Sequence, residues 1–152
     1  MTLIAYTRDV SPTLADCELT HLEREPLDVA RAAAEHHGYE DLLSQLGATV
    51  SRLPAEPGLP DAVFVEDTAV VLDEIAVITR PGAASRRPET PSVASALAAH
   101  RPLAQIEGPA TLDGGDVLVV GRRLYVGLST RSSRTAIEQL ATLLRPFDYE
   151  VV

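Results

Sequence analysis

Hydrophobic residues recur along the chain in short bursts broken by polar loops, and two periodicities alternate. Residues 3–7 form a short apolar run that predicts a strand, and residues 9–26, which carry Pro12 and Pro26, predict an exposed loop. From Leu27 the spacing turns helical: Tyr39, Leu42, Leu43 and Leu46 stand at i, i+3, i+4 and i+7. Gly47 stops this pattern, and Gly38 is a candidate break into two helices. Residues 49–53 predict a strand. Residues 62–71 and 75–79 are rich in Val and Ile and predict two more, joined through Leu72-Asp73-Glu74.

The second half reads in the same way. Pro81-Gly82 breaks the chain, and a helix is expected after Pro91, with Ser92 near its start. Val93, Ala96, Leu97 and His100 share one face of that helix, and Pro102 ends it. Residues 104–107, 117–120 and 124–127 predict strands. Ser132 and Ser133 are N-cap candidates for a helix whose face holds Ile137, Leu140, Ala141 and Leu144 and which Pro146 closes. Residues 149–152 begin a last strand.

This alternation contains a repeat. Asp67-Thr68-Ala69-Val70-Val71 aligns with Asp116-Val117-Leu118-Val119-Val120, 49 residues later. The following strands come into register, and an arginine-bearing loop and a helix follow in both copies. A period of this size implies a repeat architecture whose units bury their apolar faces against neighbours; two unrelated hairpin–helix units are the alternative. A strand-like pair at Val151-Val152, where the repeat calls for further strands, leads us to expect a fragment or a chain completed by a partner; a short edge strand is the plain alternative.

At 152 residues the chain has the length of one domain, 1–152. Hydrophobic residues make up 45% and charged residues 23%, which permits a packed core; with aromatics at 4% and no Trp, Ala, Val, Leu and Ile must build it. Thirteen basic against 22 acidic residues give a net charge of −9, so a nucleic-acid partner is not expected, while cationic small molecules are attracted. The lone Cys17 excludes an internal disulfide and fits a reducing compartment. No signal-peptide pattern or membrane-length apolar run is present, so a cytoplasmic protein with no membrane partner is expected.

Three segments could carry chemistry. Asp61, Glu66 and Asp67 flank an apolar run; on a strand, Asp61, Val63, Val65 and Asp67 would share a face. Carboxylates at the rim of an apolar pocket suit a planar guanidinium, which offers a fork of N–H donors; a solvated strand end fits the same spacing. Ser85-Arg86-Arg87 could hold a carboxylate or be an ordinary surface loop. Leu112-Asp113-Gly114-Gly115-Asp116 permits close backbone approach, as would any tight turn, and lacks the Lys and Ser/Thr of a phosphate loop. His21, His36, His37 and His100 form no metal-ligand spacing, and Cys17 stands outside any nucleophile motif.

Taken together and in order, Leu19-Thr20-His21-Leu22, residues 61–68, 79–87 and 111–117, and Tyr125-Val126-Gly127-Leu128-Ser129-Thr130-Arg131 resemble segments of the dimethylarginine dimethylaminohydrolases over nearly the whole chain. That family belongs to the pentein superfamily, an α/β propeller of five repeated ββαβ-like units. The resemblance therefore implies an α/β fold, here about half of a propeller. It implies that Leu19 matches a lid leucine over the substrate, and that Asp61, Glu66 and Asp67 match the acids orienting the substrate and its guanidinium. It further implies that Arg86 and Arg131 match the arginines holding the amino-acid end. Asp113 matches the acid, Glu in some members, that partners the catalytic histidine. Family chemistry uses a cysteine thiolate that attacks the guanidinium carbon and expels a methylamine, after which water releases citrulline; a histidine moves the protons. No cysteine or histidine of this chain matches those two, so the chain is expected to grip methylated arginine or a related guanidino compound without turning it over. No cofactor or metal is implied. A guanidino-binding or assembly module, or part of an arginine deiminase- or amidinotransferase-like enzyme, are the alternatives. Uncovered sheet edges lead us to expect homo-oligomers or pairing with a missing carboxy-terminal half.

Overall fold

The computed structural model describes residues 3–19 and 23–152, in two compact units with their boundary between Val65 and Glu66. In the first unit, β1 (Ile4–Arg8) and β2 (Thr49–Leu53) pair in parallel, and α1 (Val29–Gln45) makes the crossover. Parallel neighbours need such a connection, because a tight turn can only reverse the chain. Asp28 caps α1, its carboxylate accepting the Arg31 N–H at 3.0 Å. Past the helix, Gly47 takes φ +93°, a left-handed conformation that glycine adopts without strain.

One sequence expectation changes here. Gly38 does not divide the helix: α1 is continuous, since a single glycine lowers helix propensity by only about 1 kcal/mol. The apolar row of α1 also points outward, with Tyr39 53%, Leu42 57% and Leu46 84% exposed. The buried residue of α1 is Glu40. Its carboxylate accepts the Thr7 hydroxyl at 2.6 Å and the Arg52 Nε at 3.1 Å, and His36 Nε2 stands 3.5 Å away. A buried carboxylate is tolerated only when paired in this way.

The second unit contains two three-stranded sheets of the same topology. In one, β3 (Ala69–Val71) pairs antiparallel with β4 (Ala76–Ile78), which pairs parallel with β5 (Leu103–Gln105) across α2 (Thr90–Leu97). In the other, β6 (Val117–Val120) pairs antiparallel with β7 (Arg123–Val126), which pairs parallel with β8 (Glu150–Val151) across α3 (Arg134–Leu144). One core joins them: Val70, Leu72, Ile75 and Val77 pack in the same cluster as Leu124, Ala136, Leu140 and Leu144. Fully burying such aliphatic side chains stabilises by about 1.5–3 kcal/mol each.

The strand expected over 62–71 is only partly formed. Residues 62–64 turn, Val65–Thr68 form a 3-10 turn, and pairing begins at Ala69. Val and Ile content favours extended backbone only where a neighbouring strand is present, and the backbone of residues 66–69 lies instead against the Gly114-Gly115 turn. The shared strand face of Asp61 and Asp67 therefore does not exist. α2 begins at Thr90 with Pro91 in its first turn and ends before His100, which is exposed beyond it.

Candidate functional site

Most of the expected site residues converge in the second unit. The turn Gly114–Asp116 lies against the backbone that follows Val65. A Cβ on Gly114 would sit 2.1 Å from the Glu66 carbonyl oxygen, so only glycine permits this approach. Next to it the Gly115 N–H donates to Asp67 Oδ1 at 3.0 Å. The other oxygen of Asp67 meets Arg86 Nη1. The same guanidinium grips Glu89 bidentately, Nε to Oε1 at 3.1 Å and Nη2 to Oε2 at 2.9 Å. Burial alone would lower the pKa of Arg86; the hydrogen bonds and charges of Glu89 and Asp67 outweigh it and hold the guanidinium above its ordinary range.

Asp113 is 1% exposed. Its Oδ1 accepts the Gly82 N–H at 2.8 Å, and its Oδ2 lies 3.5 Å from Arg131 Nε. Burial pushes its carboxyl pKa up; the Gly82 N–H opposes this and the charge of Asp67 adds to it. Glu66 stands at the surface of the same group. Desolvation by the surrounding atoms raises its pKa against its own backbone N–H, and Asp67 raises it further. Arg131 is half exposed and faces two carboxylates, Asp113 and, at 3.8 Å, Asp116. The structure thus brings Glu66, Asp67, Arg86, Asp113 and Arg131 into one charged network.

Leu19 and Asp61 belong to the first unit. Asp61 is buried, and both of its oxygens accept the Glu18 N–H, at 3.1 and 3.2 Å. This acid therefore anchors the loop at the residue before Leu19, whose side chain is 40% exposed. Cys17 is a half-buried free thiol in that loop. Thr20, His21 and Leu22, which follow Leu19 in the segment expected to form a lid, lie outside the described residues.

Two residues of the network escaped the sequence reading. Glu89 follows Arg86 by three residues, a spacing at which an Arg–Glu pair can meet on a helical turn, but Pro88 between them concealed the turn. Ser132, expected as one of two N-caps, is fully buried; Ser133 is the cap, its hydroxyl accepting the Ala136 N–H. Among the described residues no group of three His, Cys, Asp or Glu could hold a metal, and no helix is long and apolar enough to cross a membrane.

Comparison with known proteins places this chain in a family. The family model described as arginine deiminase matches residues 55–146, more than half of the chain. The N(G),N(G)-dimethylarginine dimethylaminohydrolase of Streptomyces coelicolor is 40% identical over 149 residues, covering 97% of this chain and 58% of the relative. The enzyme of the same name from Pseudomonas aeruginosa is 35% identical over 119 residues, covering 77% of this chain and 47% of the relative. The chain thus spans about half to three-fifths of these relatives' length. A solved structure of the Pseudomonas aeruginosa enzyme, a Cys→Ser variant complexed with citrulline, superposes with a TM-score of 0.95 at 31% identity, covering 100% of this chain and 60% of that one. The alternating β and α elements described above are those of the pentein α/β fold, and the chain belongs to the arginine deiminase family, within its dimethylarginine dimethylaminohydrolase group, whose amino-terminal portion it matches.

Proposed function

We propose that this chain is the guanidinium-gripping amino-terminal portion of a dimethylarginine dimethylaminohydrolase. Glu66 and Asp67 orient the guanidinium of N-methylated arginine, Arg86 and Arg131 hold its amino-acid end, Asp61 sets the loop that carries Leu19, and Asp113 partners a histidine supplied from outside residues 1–152. The observation that carries this reading is the convergence of Glu66, Asp67, Arg86, Asp113 and Arg131 around one turn, where Asp67 meets Arg86 and Gly115, Asp113 faces Arg131, and the charges of Asp67 and Arg86 act on both Glu66 and Asp113. Citrulline, bound in the Pseudomonas aeruginosa neighbour, is the product this chemistry would release.

The two repeated three-stranded sheets are part of one propeller domain with a repeat of about 49 residues, completed by further units or by association of chains. The covalent steps need a cysteine and a histidine that Cys17 and the four histidines do not supply, so residues 1–152 bind without turnover. Calorimetric titration with Nω,Nω-dimethylarginine and with arginine, beside a citrulline assay, tests this: binding that falls at least tenfold in the Glu66→Gln, Asp67→Asn double variant, with no citrulline formed, is expected. Robust turnover by residues 1–152, or affinity unchanged in the double variant, would refute it. The arginine deiminase description of the matching family model favours one second reading, a sister activity on unmethylated arginine; tighter binding of arginine than of its dimethylated form would select it.

A further inference from the structure

We infer that Asp116 is a positioning residue for Arg131, acting together with Ser129 and Ser132, and that it thereby sets the grip on the substrate's carboxylate. This rests on the role proposed above for Arg131. One oxygen of Asp116, Oδ2, accepts two hydroxyls, from Ser129 at 2.8 Å and from Ser132 at 2.6 Å. Those hydroxyls are themselves held: Ser129 Oγ accepts the N–H groups of Arg131 and Ser132 at 3.0 Å each, and Ser132 Oγ accepts the Asp113 N–H at 3.1 Å. The carboxylate is thus fixed, and its other oxygen, Oδ1, is left facing Arg131 Nη2 at 3.8 Å.

The distances decide what this arrangement does. At 3.5 Å from Asp113 and 3.8 Å from Asp116, Arg131 is attracted by both acids without closing a short hydrogen bond to either, because N–H···O bonds mostly span about 2.7–3.2 Å. Two charges on two sides orient the guanidinium while its N–H fork remains available to a ligand oxygen. The corresponding pair one repeat earlier is built differently: Arg86 is in direct contact with Asp67 and bound further by Glu89, with 7% of its side chain exposed against 49% for Arg131. Asp116 is therefore the acid that aims an arginine and leaves its donors open, where Asp67 engages one. The same serines tie the Arg131 loop to the backbone of Asp113, so the carboxylate grip and the acid that would partner the histidine share one support.

The test is ligand-selective. Binding of Nω,Nω-dimethylarginine and of its decarboxylated counterpart, dimethylagmatine, is measured by calorimetry for the wild-type chain, Asp116→Asn, Arg131→Ala and the double variant. Asp116→Asn is expected to weaken dimethylarginine about tenfold and dimethylagmatine less than twofold, with Asp116→Asn adding nothing once Arg131 is gone. Equal loss for both ligands, or additive losses in the double variant, would overturn the inference. If the wild-type chain binds neither ligand, the grip reading fails, and hydrogen exchange then decides the positioning claim by itself. The Arg131 and Ser132 amides are expected to exchange faster in Asp116→Asn, and unchanged exchange overturns it.

Discussion

Asp67 and Arg86 meet in direct contact inside the second unit, with 16% and 7% of their side chains exposed, and Glu89 at 2% closes the other side of the guanidinium. The three charges are mutually dependent. Removing Arg86 leaves two carboxylates in an environment that had been neutralised by one cation, and an uncompensated buried charge costs about 3–5 kcal/mol. Arg86→Ala is therefore expected to lower the unfolding free energy by that amount in urea titrations, and Arg86→Lys to recover only part of it, since an ammonium cannot bind Glu89 as a fork. The same loss is expected without any ligand present, which separates the structural part of this arginine from the binding part proposed for it.

Gly114 makes a second prediction that depends on shape alone. With the Glu66 carbonyl oxygen 2.1 Å from where a Cβ would stand, and the Ala69 carbonyl at 3.1 Å, alanine must displace backbone on both sides. The obstacle is main chain and cannot rotate away. Gly114→Ala is expected to destabilise by about 1–3 kcal/mol, the ordinary cost of overpacking. It is also expected to disturb the Gly115 N–H to Asp67 contact, visible as a shift of the Gly115 amide resonance. Gly58→Ala, with open space at its Cβ, serves as the control.

How much of this was legible in the sequence depended on which force fixes each element. Strands 49–53 and 117–120 came out with the bounds expected, because their apolar content is matched by a paired neighbour. The helix face of Ile137, Leu140, Ala141 and Leu144 was read from its period, and Leu140 and Leu144 are fully buried. The segment 62–68 misled because its Val and Phe content looks like a strand, while Glu66 and Asp67 meet the glycines of a turn nearly 50 residues later and pairing begins only at Ala69. The row Tyr39, Leu42, Leu43 and Leu46 correctly marked a helix, but a periodic apolar stripe does not say which side a helix buries, and Glu40 takes the inner position through Thr7 and Arg52. Acid and arginine motifs could be named from sequence. That Asp67 binds Arg86 rather than open solvent, and that Ser132 is a buried hub, could not, since both follow from long-range contacts.

Ser133 offers a local test of the second repeat. Its hydroxyl accepts the Ala136 N–H at 3.3 Å as the cap of α3 and also accepts the Thr111 N–H at 3.1 Å. Losing both orphans one helix donor and one loop donor. Ser133→Ala is expected to cost about 1–2 kcal/mol, at the upper end for caps, and Ser133→Asp less, because a carboxylate can accept at the helix start. Thermal denaturation of the two variants side by side measures the difference.

Asp113 and Glu66 in the second unit respond to pH with the opposite sign to Glu40 in the first. In the second unit burial, chiefly, holds Asp113 and Glu66 above the usual carboxylate range, so the folded state binds their protons more tightly than the unfolded state does. Their charged forms therefore cost stability, and the cost appears as pH rises from about 4, where the unfolded groups titrate, through the higher folded values. In the first unit burial would raise Glu40 too, but the hydrogen bonds from Arg52 and Thr7 and the charges of Arg52 and His36 outweigh it and hold Glu40 below its usual value. Its stabilisation is complete above the unfolded value and is lost as pH falls through the folded one. Asp113→Asn, whose amide oxygen still accepts the Gly82 N–H, is expected to raise stability at pH 7 by a margin that shrinks to nothing near pH 4. Glu40→Gln is expected to lower stability at pH 7, with the loss disappearing only at more acid pH. Urea unfolding of both variants across pH 3–8 decides it, because a common sign for the two differences would contradict the opposed burial and pairing described for these carboxyls.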